Sequence, residues 1–311
     1  MSDFAFVFPG QGSQSVGMLE DYPDTEGVVS RTLEEASEAL GRDLAEIIRS
    51  GPEEELNRTE NTQPALLAAD VAVYRLWQVR GGASPAFMAG HSLGEYAALV
   101  AAGSLELSEA VRLVADRSRF MQEAVPAGQG KMAALLGLDD DTVIGLCRDR
   151  EGQGVVTPAN FNAPGQVVIA GEADLVDQVV AAAKEAGAKR AVELPVSIPS
   201  HCPLMEPARE RLAERLSQTE IKAPGIPVIN NVDVEAPTDP EAIRDALARQ
   251  VASPVRWTGT VQRLKEQGAA RVMELGPGKV LCGLAKRIDR SMPCLPVVDA
   301  ASLDEALGQT G

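Results

Sequence analysis

The sequence predicts an α/β protein: a large domain with a parallel sheet, and a smaller βαββαβ domain inserted within it. Three observations carry this expectation. Short apolar runs such as Phe4-Ala5-Phe6-Val7-Phe8 lack polar alternation, as the buried strands of a parallel sheet do. Between such runs lie segments with apolar residues at helical spacing, so strands and helices alternate. From Lys131 to Val196 the order becomes β-α-β-β-α-β, flanked by Gly128-Gln129-Gly130 and by Pro195 and Pro199 as hinges. The large domain is therefore expected to be discontinuous, 1–127 and 199–311, with the small domain at 128–198.

The first strand, Phe4 to Phe8, leads into Pro9-Gly10-Gln11-Gly12-Ser13-Gln14-Ser15-Val16-Gly17. These glycines resemble a dinucleotide fingerprint, but Ser15 stands where the third glycine belongs. Leu33, Ala36, Leu40, Leu44 and Ile47 space one helix over Thr32 to Ser50, and Glu53 to Leu56 is a short acidic turn. Thr62-Gln63-Pro64 opens a long apolar helix to Arg80, with proline in its first turn. Ala86 to Ala89 is a second buried strand and Glu95 to Ala102 a helix. The next helix, Ser108 to Ala124, buries Ala110, Leu113, Val114 and Met121, and shows Arg112, Asp116, Arg119 and Glu123 as two i,i+4 ion pairs.

In the small domain, strands are expected at Met132 to Leu138, Val155 to Phe161, Gln166 to Gly171 and Lys189 to Val196. Helices fall at Asp139 to Arg150 and Ala173 to Ala186, with a turn at Asn162-Ala163-Pro164-Gly165. The chain then returns to helices at Pro207 to Gln218, Pro240 to Val251 and after Gly276-Pro277-Gly278-Lys279 through Arg287. Strands are expected at Ile226 to Val232, Arg271 to Leu275 and Leu295 to Val298. The GPGK stretch is not a phosphate loop, since Met273 replaces its first glycine and Val280 its magnesium-binding hydroxyl.

The chain has 311 residues, 45% hydrophobic and 24% charged, as a soluble globular enzyme would. A formal charge of −16 argues against nucleic acid or an anionic membrane as a partner. Neither a signal peptide nor a membrane span is expected. Cys147, Cys202, Cys282 and Cys294 have no C-x-x-C spacing and read as reduced cytosolic thiols, mostly in the core.

Chemistry concentrates at Gly90-His91-Ser92-Leu93-Gly94. G-x-S-x-G alone also describes a tight turn with a surface serine. The strand before it and the helix after it point instead to a strained elbow that presents Ser92 as a nucleophile. The Leu93 N–H, one residue on and at a helix N-terminus, is placed to hold an oxyanion. The glycine-rich loop after the first strand either brings Gln11 to this site or is a plain loop. Of the two histidines, His91 adjoins Ser92 and is expected to point away into the sheet, which leaves His201 as the base. No acid stands out as a third member, so a carbonyl or an amide is expected to fix the imidazole tautomer. Arg117 falls on an apolar stripe, where it either snorkels from the helix edge or is held inside by an anion.

These residues sit within a longer set of motifs: Phe8-Pro9-Gly10-Gln11-Gly12-Ser13-Gln14, Thr62-Gln63-Pro64-Ala65, Gly90 to Tyr96, Arg117 with Phe120-Met121-Gln122, Asn160-Phe161-Asn162, Pro199-Ser200-His201, Asn230-Asn231-Val232 and Glu274-Leu275-Gly276-Pro277-Gly278. In these the chain resembles the bacterial malonyl-CoA:acyl carrier protein transacylases of type II fatty acid synthesis, in one register over nearly its whole length. The resemblance implies a hydrolase-like α/β domain plus a ferredoxin-like one. It implies malonyl transfer from malonyl-CoA to the phosphopantetheine thiol of acyl carrier protein through a malonyl-serine. Ser92 would be the nucleophile, His201 the base, and Gln11 with the Leu93 backbone the oxyanion hole. Arg117 would clamp the malonyl carboxylate, a Gln250 backbone carbonyl would orient His201, and Asn160 and Asn162 would face the site.

Such chemistry needs no metal or bound cofactor, and a cytoplasmic monomer is expected. The carrier protein is acidic, as is this chain, so docking would use a local basic patch. Lys189 with Arg190, and Lys286 with Arg287 and Arg290, are the candidates, although charge clusters are also ordinary solvated surface. Rival readings share the serine. A thioesterase or other serine hydrolase would have no use for a buried Arg117. An acyltransferase of a polyketide or malonate-decarboxylating system would carry the same motifs. A non-catalytic carrier-binding scaffold would leave Ser92 unacylated.

Overall fold

The computed structural model describes residues 2–196 and 198–310. All five residues of β1 (Phe4–Phe8) are buried. Its phenylalanines face one layer and Ala5 and Val7 the other, as the two-residue period of a strand dictates. Trp77 meets Phe4 and Phe6 edge-on, with ring centroids 6.3 and 5.2 Å apart. α1 (Val28–Leu40) and α2 (Leu44–Ser50) replace the single helix expected there, because Gly41 takes a left-handed φ of 65° and ends the first. α3 (Glu53–Leu56) is the short acidic turn expected there, wound as one turn of helix. α4 (Thr59–Val79) begins at Thr59, so Pro64 lies inside it and not in its first turn. Proline has no N–H for the carbonyl four residues back. That carbonyl, of Glu60, is taken instead by Arg42 at 2.7 Å.

β2 (Phe87–Gly90), α5 (Gly94–Ala101) and α6 (Leu107–Ala124) follow. Of the two ion pairs expected in α6, Arg119 with Glu123 forms at 3.9 Å, but Arg112 pairs with Glu109, which leaves Asp116 to Arg119. Arg215, from a later helix, binds Glu109 and Asp116 at 2.7 and 2.9 Å and draws them to its side.

β3 (Gly130–Leu136), α7 (Asp140–Arg148), β4 (Val156–Ala163), β5 (Gln166–Glu172), α8 (Ala173–Glu185) and β6 (Arg190–Glu193) make the small domain in the expected βαββαβ order. Its sheet is antiparallel, ordered β4-β5-β3-β6. β4 runs on through Asn162 to Ala163, so the turn is only Pro164-Gly165. Val255 of the large domain lies alongside β4, donating to the Ala159 carbonyl at 2.8 Å and accepting from the Phe161 N–H at 2.9 Å.

The large domain resumes with α9 (Glu206–Ser217), β7 (Val228–Ile229), α10 (Pro240–Gln250), α11 (Trp257–Glu266), β8 (Arg271–Leu275), α12 (Val280–Ile288), β9 (Cys294–Val297) and α13 (Ala300–Gly308). α11 and α13 are additions to the expected elements, and β7 keeps only two residues of its expected run. The sheet is parallel throughout, ordered β7-β2-β1-β8-β9. Its strands therefore all end at one rim, where open α/β sheets bind ligands.

The cysteines depart from expectation. Cys282 in α12 and Cys294 at the start of β9 are joined as a disulfide, their Cα atoms 5.0 Å apart across a separation of 12 residues. The helix packs back on the strand, which brings the two sulfurs together. Cys147 and Cys202 are free and buried. Glu274 lies beside the disulfide, and its carboxylate accepts from the Leu281 and Cys282 N–H groups at 3.0 and 2.8 Å, capping α12. Among the described residues no helix is long and apolar enough to cross a membrane.

Candidate active site

Ser92 stands between β2 and α5 with φ at 52°, the left-handed region that a serine rarely occupies. The flanking glycines make the turn possible. A Cβ on Gly90 would lie 1.9 Å from the Gly94 carbonyl carbon, and one on Gly94 would lie 2.2 Å from the Phe8 oxygen. The strained peptide is held on both sides. The Ser92 N–H donates to Asn231 Oδ1 at 2.7 Å, and its carbonyl accepts from Gln250 Nε2 at 3.0 Å.

His201, on the segment that re-enters the large domain, brings Nε2 to 2.8 Å from Ser92 Oγ. Its Nδ1 lies 2.8 Å from the Gln250 carbonyl oxygen. A carbonyl only accepts, so Nδ1 carries the hydrogen and Nε2 is left as the acceptor for the serine hydroxyl. Burial, reinforced by the positive charge of Arg117, pushes the His201 pKa down to about 3. The imidazole is neutral, the form in which it can take a proton.

Arg117 is 2% exposed, so it does not snorkel. Its guanidinium donates to Gln63 Oε1 at 2.7 Å, to Gln250 Oε1 at 3.0 Å and to Ser92 Oγ at 3.3 Å. Its Nε is buried and has no partner among the described residues. These direct partners are all neutral, so a cation sits beside the serine hydroxyl without an anion bonded to it.

A cavity of about 190 Å³ opens over Ser92 and His201, lined also by Gln11, His91, Asn160 and Asn162 among others. His91 does not enter the sheet as expected. Its ring lies 5.4 Å from that of Trp257, and Nε2 reaches across the cleft to Asn162 Oδ1 at 2.8 Å. The extension of β4 through Asn162 supplies the partner that draws the ring to this side. Leu93, the residue after the nucleophile, is buried.

Residues 5–301 match the acyl transferase domain family. The chain belongs to this family. It is 55% identical over 308 residues to the malonyl CoA-acyl carrier protein transacylase of Escherichia coli strain K12, covering 99% of each chain. The crystal structure of an acyl carrier protein S-malonyltransferase from Vibrio cholerae superposes with a TM-score of 0.96 at 56% identity, covering 98% of this chain and 99% of that one. A type II PKS acyl-carrier protein complex contains a malonyl-transacylase with TM-score 0.97 and 53% identity, covering 99% of this chain and 100% of that one.

Several residues of this acyl transferase contribute more than their motifs disclose. Gln63 of the Thr62-Gln63-Pro64 motif holds Arg117, and the Gln250 side chain bonds Arg117 as well as Ser92. Met132, Val168 and Leu194 give the cavity an apolar wall from the small domain, the first two of which strand parity on β3 and β5 could have found. One member of each basic cluster is linked to the other through the small sheet. Arg287 bonds Gln166 Oε1 at 3.1 Å, and Gln166 pairs across the sheet with Leu136, which pairs with Arg190. Two strand spacings, about 10 Å, separate Gln166 from Arg190.

Proposed function

We propose that the chain transfers the malonyl group of malonyl-CoA to the phosphopantetheine thiol of an acyl carrier protein, supplying fatty acid chain elongation. Ser92 Oγ attacks the thioester carbonyl while His201 Nε2 takes its proton, and the Nδ1–H stays on the Gln250 carbonyl. The oxyanion is held by the Leu93 N–H and Gln11. Collapse expels CoA as a thiol, with the proton returned from His201, and leaves malonyl on Ser92. The carrier thiol then gives its proton to His201 and attacks, and Ser92 leaves and recovers that proton. The cycle is ping-pong covalent catalysis. No step of it calls for a metal or a bound cofactor. Asn160 and Asn162 bound the acyl group from the small domain, and His91 holds Asn162 in place. CoA thioesters put this work in the cytoplasm. The chain acts as a monomer, with domains divided near 127/128 and 198/199, just outside the first and last small-sheet strands.

The observation that carries the reading is the buried Arg117 guanidinium, 3.3 Å from Ser92 Oγ and bonded only to neutral groups. A malonyl carboxylate completes it through two parallel hydrogen bonds, whereas acetyl leaves it unpaired. An uncompensated buried charge costs on the order of 3–5 kcal/mol, or roughly 10²–10³ in preference. This same feature disfavours a plain serine hydrolase. The test compares kcat/KM for malonyl- and acetyl-CoA in wild type, Arg117→Lys and Arg117→Ala. Malonyl preference should be strong in wild type, weakened in the lysine variant and lost in the alanine one. An unchanged ratio in Arg117→Ala would remove the basis for the malonyl assignment.

The carrier protein docks on the basic residues Lys189, Arg190, Lys286, Arg287 and Arg290. All five are exposed, and among the described residues none forms an ion pair with an acid. The solved complex of a related malonyl-transacylase with an acyl-carrier protein supports a carrier partner.

A further inference from the structure

Glu95, three residues beyond the nucleophile on the first turn of α5, is 2% exposed and plays no part in the chemistry above. A single oxygen of its carboxylate, Oε2, accepts from the Asn231 N–H at 3.0 Å and from Gln250 Nε2 at 2.8 Å. Those two residues are the ones that hold the Ser92 peptide. Asn231 takes the Ser92 N–H and also donates to the Gly90 carbonyl at 2.7 Å. Gln250 donates to the Ser92 carbonyl, accepts from Arg117, and offers its backbone oxygen to His201. Asn231 and Gln250, which between them bond Ser92, His201 and Arg117, thus converge on one buried oxygen.

We propose that Glu95 is a positioning residue for the transfer reaction, bridging Asn231 and Gln250 so that the nucleophile, its base and the carboxylate clamp share one frame. The bridge also fixes the Gln250 amide. A carboxylate oxygen only accepts, so the NH₂ end must face Glu95 and Ser92, and the oxygen end must face Arg117. Without the bridge two buried donors lose their acceptor and the amide is free to turn its oxygen away from the guanidinium. Displacements of about 1 Å among reacting groups are enough to slow a reaction on the order of 10²-fold. The proposal rests on the reading of Ser92 as the acylated nucleophile.

The role is one of geometry, so three variants separate it from a merely structural contribution. Glu95→Gln keeps an oxygen able to accept both bonds. Glu95→Asp keeps the carboxyl group but withdraws it by one methylene. Glu95→Ala removes the acceptor. The rate of Ser92 acylation by malonyl-CoA is measured per folded molecule in single turnover, with mass spectrometry to locate the acyl group and thermal melting to count folded protein. Glu95→Gln is expected within about 10-fold of wild type. Glu95→Asp, and Glu95→Ala where it folds, should lose about 10²-fold. The loss should fall on kcat and not on KM. Folded Glu95→Asp acylating at the wild-type rate would overturn the proposal, and so would Glu95→Gln as slow as Glu95→Asp. Failure of the wild type to acylate Ser92 would instead overturn the nucleophile reading on which the proposal stands.

Discussion

The proposed role of His201 as the base draws on its surroundings more than on its intrinsic chemistry. Its imidazole is held near pKa 3, so it stays unprotonated where a histidine in water would titrate, near 6.5. Glu95 is pushed up to about 7 by burial and does titrate in that range, yet in either form one oxygen remains to accept from Asn231 and Gln250. The single-turnover acylation rate should therefore stay level from about pH 8 to pH 5. An acid limb centred near 6.5 would show that His201 is open to water. Stability behaves differently. Below about 6.5 the unfolded chain protonates His201 and the folded chain does not, so that contribution is lost as pH falls towards 3. The Glu95 contribution, present below its unfolded value of 4.5, is lost as pH rises through about 7. At this scale the meeting of Ser92 with His201, at 2.8 Å, was legible from the elbow motif and from the shortage of other histidines. Gln63, Glu95 and Asn231 gave no role to read, because each acts through a partner remote in sequence. The two readings of Arg117 could be separated only by its burial.

The strand–elbow–helix unit is where element geometry decides activity. Gly90 and Gly94 touch backbone from opposite sides, Gly94 against β1 itself. A methyl on Gly90 forces β2 and α5 apart. Overpacking of this kind costs about 1–3 kcal/mol, sometimes more. Gly90→Ala should lower the melting temperature and abolish Ser92 acylation together, measured by thermal unfolding and by mass. A fully active Gly90→Ala would mean that the turn is not the strained one described. The elbow and the βαββαβ order were legible because periodicity and glycine spacing are local signals. The split of α1 from α2 was missed because apolar spacing continues across Gly41. Pro64 misled for a physical reason, since Arg42 satisfies the carbonyl that the proline leaves open.

Across the whole molecule the net charge is −16, so the proposed docking of an acidic carrier protein calls for a local basic patch. Charge reversal at Arg190 or Arg287 should slow transfer to the carrier protein and leave acylation by malonyl-CoA nearly unchanged. Added salt should mimic the substitutions, since exposed charges are screened beyond about 8–10 Å at ordinary ionic strength. Transfer kinetics insensitive to both would place docking elsewhere. The link between Arg287 and Arg190 was not legible, because it runs through the pairing of β5, β3 and β6. Nor was the disulfide, since cysteine spacing alone does not state pairing. The measurement that tests the account most directly is the mass of the intact protein after mixing with malonyl-CoA, followed by addition of holo acyl carrier protein. The account expects one malonyl group, mapped to Ser92, that is lost to the carrier and never forms in Ser92→Ala. An acyl group on a cysteine, or one that persists in Ser92→Ala, would contradict it.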